Sequence, residues 1–333
     1  MAISMHPAQH WQKLEDRRVQ CQLCPKHCEI PDGKTGFCSV RRNEAGALYT
    51  ENYAQVTSLA VDPIEKKPLY HFHPGSSILS VGTFGCNLAC EFCQNWQISR
   101  RRPSTQTIPV EELSSLAREQ GSIGVAFTYN EPTIWFEYVL DGARAVKRNG
   151  GKVVLVTNGY INPEPLEELL EFVDALNVDL KSMDRGYYER VCKGTPEPVM
   201  ETIRRVHRHP RAMVEVTCLL VPEEKDNLED LRQIREFIAS LDTGIPVHLS
   251  RYFPRYRMQH PATSEQLMRQ GYDLLREKLN FVYVGNVYLP GTGDTYCPAC
   301  EQKVIERMGY HVSVRGLSGN HCAHCGSILP IVR

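Results

Sequence analysis

An α/β fold is predicted for this chain: a partial (β/α)6-type TIM barrel, with a cysteine-rich segment before it and a small cysteine module after it. Two observations predict the barrel. Short β-branched apolar runs alternate with amphipathic stretches of helix length, and polar residues cluster just after the runs, where the catalytic groups of a (β/α) barrel collect. A third observation predicts the flanks. Eleven of the thirteen cysteines fall into three tight groups, at the two ends of the chain and after the first apolar run of the middle segment.

Taken in order, the buried strands are expected at Ile78–Val81, Gly124–Phe127, Lys152–Val156, Ala175–Val178, Met213–Leu220, Pro246–Ser250 and Phe281–Val284, which are apolar enough for a parallel sheet covered on both faces. Helices are expected between them. Val110–Gln120 is opened by Pro109 and closed by Gly121, and Ile134–Asn149 is closed by Gly150 and Gly151. Glu164–Phe172, Pro198–Arg208, Leu228–Ala239 and Ser264–Leu279 complete the series. An open doubly wound sheet would carry a glycine-rich fingerprint in its first strand-to-helix turn; here that turn carries cysteines, which favours the barrel. Residues 1–50 are expected to form a four-cysteine segment, 51–290 the barrel, and 291–333 the C-terminal module.

Bulk properties narrow the function. A formal net charge of -1 gives no global field toward nucleic acid or an acidic membrane surface. The first twenty residues lack the apolar stretch of a secretory signal, and no run is long enough to span a bilayer, so a cytoplasmic location is expected. Clustered cysteines in a reducing compartment bind metal more often than they pair as disulfides.

The central group, Cys86, Cys90 and Cys93, has CxxxCxxC spacing, with Phe92 just before the third cysteine. Three thiolates leave one iron of a four-iron cluster without a protein ligand. That suits a cluster which binds its substrate through iron, whereas structural zinc is closed by four ligands. The competing reading is a zinc site completed by a distant residue such as His71 or His73. Further along stand Tyr129-Asn130-Glu131-Pro132, Thr157-Asn158-Gly159, Asp179-Leu180-Lys181 and His248-Leu249-Ser250-Arg251-Tyr252, each at a strand end.

This set resembles the radical S-adenosylmethionine superfamily, in the group related to pyruvate formate-lyase and other glycyl-radical-enzyme activating proteins. With the N-terminal CxLCPxxC element and the CPxC…CxxCG tail, the chain is similar over nearly its whole length to the AmmeMemoRadiSam-system radical enzymes. The resemblance implies a 4Fe-4S cluster on Cys86, Cys90 and Cys93 that reductively cleaves S-adenosylmethionine to a 5′-deoxyadenosyl radical, which then takes hydrogen from a substrate. It implies cofactor contacts from Phe92, Tyr129, Asn130, Glu131, Asn158, Asp179, Lys181 and His248. Glu131 is an anionic acceptor for the methionine ammonium, Asn158 a donor to ribose or carboxylate, and His248 a partner for ribose or adenine. Asp179 and Lys181 equally read as a rim ion pair, and His248 as a satisfied interior histidine. One departure is Val156, where many activases place an acidic residue. The resemblance also implies an electron donor such as flavodoxin or ferredoxin, and companion proteins of the same system.

The outer groups can each close around a metal. Cys297, Cys300, Cys322 and Cys325 form two CxxC knuckles, a zinc-ribbon or rubredoxin-like pattern for zinc or a single iron. Cys21, Cys24, Cys28 and Cys38 suit either zinc or an auxiliary iron–sulfur cluster. Of the remaining cysteines, Cys192 falls after the Asp179–Lys181 strand and Cys218 inside an apolar strand, as core. Arg251, Arg255 and Arg257, interleaved with Tyr252, Phe253 and Tyr256, are expected near the barrel mouth. The functional readings are a radical enzyme acting on a protein, as a glycyl-radical activase does; a radical enzyme acting on a small molecule; and a metal-binding scaffold without catalysis.

Overall fold

The structure, a computed structural model, describes residues 5–225 and 227–333. Residues 1–4 of the expected N-terminal segment, and Asp226, lie outside the described residues. At the centre is an eight-stranded sheet: β1 (Ser58–Pro63), β2 (Ser77–Gly82), β3 (Gly124–Phe127), β4 (Lys152–Thr157), β5 (Ala175–Asp179), β6 (Met213–Leu220), β7 (Val247–Arg251) and β8 (Val282–Gly285). The strands lie side by side in chain order. β1 runs antiparallel to β2, and every later pair is parallel. Six strand–helix units therefore lead from β2 to β8, the number expected. The strand order shows no reversal of the doubly wound kind. Among the described residues β1 and β8 do not pair, so the sheet stays open.

The helices are α1 (Val110–Glu119), α2 (Phe136–Arg148), α3 (Pro163–Leu170), α4 (Glu197–Arg208), α5 (Asn227–Leu241) and α6 (Glu265–Arg276). Pro109 precedes α1, and the Ser264 hydroxyl accepts from Leu267 N to cap α6. The helix expected from Ile134 begins instead at Phe136. Pro132–Trp135 forms a separate 3-10 turn, capped by the Glu131 carboxylate through Thr133 N.

Side-chain alternation along the strands separates two faces. One member of each alternation (Leu79, Val125, Val153, Leu176, Val216, Leu249 and Val282) joins Leu113, Val139, Leu166, Ile203, Ile234 and Leu275 of the helices in the main core. The opposite face begins with Ile78, Ala126, Val154 and Ala175 packed on Ile64, Leu69 and Phe72. It also carries Ser80, Asn177, Glu215, Thr217 and His248, all buried. A solvent-free sheet face this polar is committed to internal hydrogen bonding.

Both flanks are fastened to this frame. In the N-terminal segment, Cys21, Leu23, Ile30 and Val40 share the main core with Ile134 and Phe136. Arg41 and Glu137 form a fully buried ion pair at 2.7 Å. In the C-terminal segment, Cys297, Val304, Ile305, Leu317 and Ile331 share a core with Phe281, just before β8, and Tyr283 within it. His73 N donates to Val332 O at 2.7 Å, and Val332 N to His71 O at 2.8 Å, which stitches the tail onto the segment before β2. No helix among the described residues is long and apolar enough to cross a membrane.

Candidate active site

The loop that leaves β2 carries Cys86, Cys90 and Cys93, all three half-buried. Its backbone is held from four directions. The Asn130 side chain accepts from Thr83 N (3.0 Å) and donates to Gly85 O (3.0 Å). Asn87 donates to Tyr160 O (2.7 Å) and accepts from Asn158 Nδ2 (2.9 Å). The π-helical turn Tyr188–Cys192 receives Ala89 N on Cys192 O (3.0 Å) and Glu91 N on Val191 O (3.1 Å). Arg257 N donates to Glu91 O (3.0 Å), and Tyr256 stacks on Trp96 at 5.2 Å, so the arginine–aromatic segment does lie against this loop. At Gly85 the backbone has φ +92°, and an added Cβ would meet Cys38 O at 2.7 Å, so only glycine fits.

Glu131 is 1% exposed and ties its own loop to the one that follows β4. Oε1 accepts from Thr133 N (2.9 Å) and the Thr157 hydroxyl (2.7 Å), and Oε2 accepts from Asn158 N (2.8 Å). Burial nevertheless raises its pKa above the ordinary carboxylate value. Asn158 is oriented in turn by Tyr160 N on its carbonyl oxygen (2.9 Å), and its amide reaches Cys86 Sγ at 3.7 Å.

The thiols differ in electrostatic setting. Burial pushes the Cys86 and Cys93 pKa values up. Cys90 is held below the ordinary thiol value, first by a hydrogen bond from the Cys192 thiol and then by the nearby Lys181 cation, against the effect of burial. Lys181 pairs with Asp179 at 3.2 Å, and its Nζ stands 5.8 Å from the centre of the Phe92 ring. Phe92, Asp179, Lys181 and Cys90 are thus brought together.

Two further expected contact residues have side-chain partners of their own. Tyr129, at φ +71°, donates its hydroxyl to Asp62 Oδ2 at 2.6 Å beneath the Lys67 ammonium. His248 lies on the inner sheet face, where its Nε2 meets Glu215 Oε2 at 2.6 Å. His71, considered as a distant zinc ligand, engages both ring nitrogens, with Pro330 O (3.0 Å) and the Tyr283 hydroxyl (2.7 Å). Residues that sequence reading did not single out include Asn87, the clasp between two loops, and Glu215, hidden inside an apolar strand. Cys192, which its place after the Asp179–Lys181 strand suggests could approach the substrate, instead bonds Cys90.

At the C-terminal end, Cys297, Cys300, Cys322 and Cys325 converge so that all four sulfurs lie within 4.8 Å of one another. Cys297 Sγ is 3.7 Å from Cys325 Sγ, and Cys300 Sγ is 3.7 Å from Cys322 Sγ. Tetrahedral metal–thiolate bonds of about 2.3 Å place sulfurs about 3.8 Å apart, so this group fits a single metal ion.

The family model described as Radical SAM superfamily matches residues 80–238, from β2 into α5. A pyruvate formate-lyase-activating enzyme of Staphylococcus epidermidis is 27% identical over 174 residues, 48% of this chain and 68% of that one. The chain belongs to the radical SAM superfamily. It is therefore an enzyme of the radical SAM class, built on that superfamily's mixed α/β fold. A second relative of this radical SAM chain, Uncharacterized protein MJ0808 of Methanocaldococcus jannaschii, is 39% identical over 98% of the chain and all of its own length. Among solved structures, Streptococcus suis SuiB bound to S-adenosylmethionine superposes with a TM-score of 0.51 at 15% identity, over 63% of this radical SAM chain and 52% of SuiB; the likeness is one of fold.

Proposed function

We propose that Cys86, Cys90 and Cys93 hold a 4Fe-4S cluster and that the protein reductively cleaves S-adenosylmethionine there to act on a protein substrate. The observation that carries the reading is three thiols on one loop whose backbone is clamped by Asn130, Asn87, Asn158 and the Tyr188–Cys192 turn. The donor set fits the group. Three thiols share the loop, the Cys90 pKa lies below the ordinary thiol value, and Lys181 offsets negative charge beside it. When bound, the cluster and cofactor supply a 5′-deoxyadenosyl radical for hydrogen abstraction. The chain's part is to orient. Glu131 fixes the Thr157–Asn158 loop against the loop from β3, and Asn158 fixes Asn87 beside Cys86. Phe92 and Lys181 wall the space beside Cys90.

A protein substrate is favoured by the relative named as activating pyruvate formate-lyase. The N-terminal CxLCPxxC element and the CPxC…CxxCG tail support the AmmeMemoRadiSam subtype, with its companion proteins as partners and a flavodoxin or ferredoxin as electron source. The tail module carries one structural zinc or iron. Residues 1–50, 51–290 and 291–333 then serve as metal segment, catalytic fold and metal module. Anaerobic reconstitution, reduction and measurement of 5′-deoxyadenosine test the reading. Turnover of S-adenosylmethionine is expected from the native chain and none from Cys90→Ala. A full cluster without cleavage would overturn it.

A further inference from the structure

The thiols of Cys21, Cys24, Cys28 and Cys38 have no part in the reaction proposed above, yet they are built as a site. All four line one cavity, together with Lys26, Phe37, Arg41 and Asn87. One backbone amide comes within hydrogen-bond reach of these sulfurs. Phe37 N lies 3.5 Å from Cys28 Sγ. The buried Arg41 guanidinium adds positive charge near Cys21 and Cys38.

The spacing tells which kind of metal group fits. The C-terminal four sulfurs crowd to within 4.8 Å of one another, the geometry of a single ion. Among the described residues, the N-terminal four form no such group; they ring a cavity instead. Cysteines set wider than the C-terminal four suit a cluster whose several metal atoms each take one thiolate. The segment also abuts the triad loop. Asn87, neighbour of Cys86, lines the cavity, and the Cys38 carbonyl packs against Gly85. The Lys26 ammonium faces Cys24, Cys28 and Cys86 together.

We propose that Cys21, Cys24, Cys28 and Cys38 bind a second iron–sulfur cluster, beside the triad loop, and not zinc. The inference stands on these four residues and does not require that S-adenosylmethionine be cleaved. The test uses the full chain with Cys86, Cys90 and Cys93 all changed to alanine, prepared anaerobically with iron and sulfide. Iron, acid-labile sulfide and zinc are assayed, and the reduced protein is examined by electron paramagnetic resonance. Beyond the one C-terminal ion, iron and labile sulfide in equal number, with a cluster signal on reduction, are expected. A second zinc in place of labile sulfide, iron without sulfide, or no metal beyond the C-terminal ion would each overturn the proposal. A complementary variant, Cys24→Ser with the triad intact, should lose about half the iron of the native chain while keeping the triad's share. Unchanged iron and sulfide in that variant would also overturn it.

Discussion

The His248 imidazole and the Glu215 carboxylate meet at 2.6 Å on the inner face of the sheet, on neighbouring strands β7 and β6. Burial opposes ionisation of Glu215. The bond from His248, aided by the Tyr70 amide, nevertheless keeps its pKa below the ordinary value. The carboxylate also accepts from His71 N at 2.8 Å. From His71 the chain of bonds continues through the Tyr283 hydroxyl to Thr295 (2.9 Å) and on to Arg307 (2.8 Å). One buried polar network thus joins the sheet interior to the C-terminal module.

Glu215→Gln places an amide donor where three donors converge, so one N–H is left facing another. Loss of a buried charge-assisted bond costs about 1–3 kcal/mol. A lowered urea midpoint is expected, with a coupling above about 1 kcal/mol in the double-mutant cycle with His248→Asn. Additive losses would mean that the two residues act separately.

Stability should fall in mild acid. His71 must be neutral to accept from Tyr283 while donating to Pro330 O, and burial holds its pKa down to about 4 against 6.5 for the free group. Below pH 6.5 the unfolded chain takes up a proton that the folded chain refuses, so stability is lost as pH falls from about 6.5 toward 4. The full effect is about 3 kcal/mol. Unfolding free energies between pH 5 and 8 should show this slope in the native chain and a shallower one in His71→Asn.

Gly85→Ala tests the contact between the two cysteine loops. The added methyl would strain the φ +92° backbone and collide with Cys38 O and with Val40 Cγ1 at 2.8 Å. A loss of about 2 kcal/mol or more is expected, with less iron bound per chain. Iron analysis and chemical denaturation read the two effects separately.

Cys300→Ser should remove one metal ion per chain and loosen the module. Since Leu329 and Ile331 lie in the core shared with Tyr283, the loss should spread to the His71–Val332 pairing. Faster amide exchange at His73 and Val332 is the expected readout, with the triad's iron retained.

The seven parallel strands could be read from sequence because β-branched runs flanked by turn residues leave few alternatives. The helix ends shifted by a residue or two wherever a local cap intervened, as at Glu131. The inner polar face was harder to foresee. Glu215 sits in Met213–Leu220 among apolar neighbours, and only the pleat, together with β7 alongside, shows that it faces His248. Glu131 stood out as a carboxylate, but its three donors come from backbone and hydroxyl groups of two loops, and such groups carry no sequence signature. The contact of Cys192 with Cys90 depends on a π-helical turn that no residue pattern marks.

Asn158-Gly159 is the dipeptide most prone to spontaneous deamidation, because an unhindered glycine nitrogen can attack the asparagine amide. In this fold Gly159 N donates to the Thr157 hydroxyl at 3.0 Å, and the Asn158 amide is fixed to Asn87. Both partners of the ageing reaction are held still. The damage should therefore accumulate at the rate at which the chain opens, which peptide mapping of stored protein would measure. An aspartate arising at position 158 would set a negative charge against Cys86, so chemical age would be recorded first at the cysteine loop.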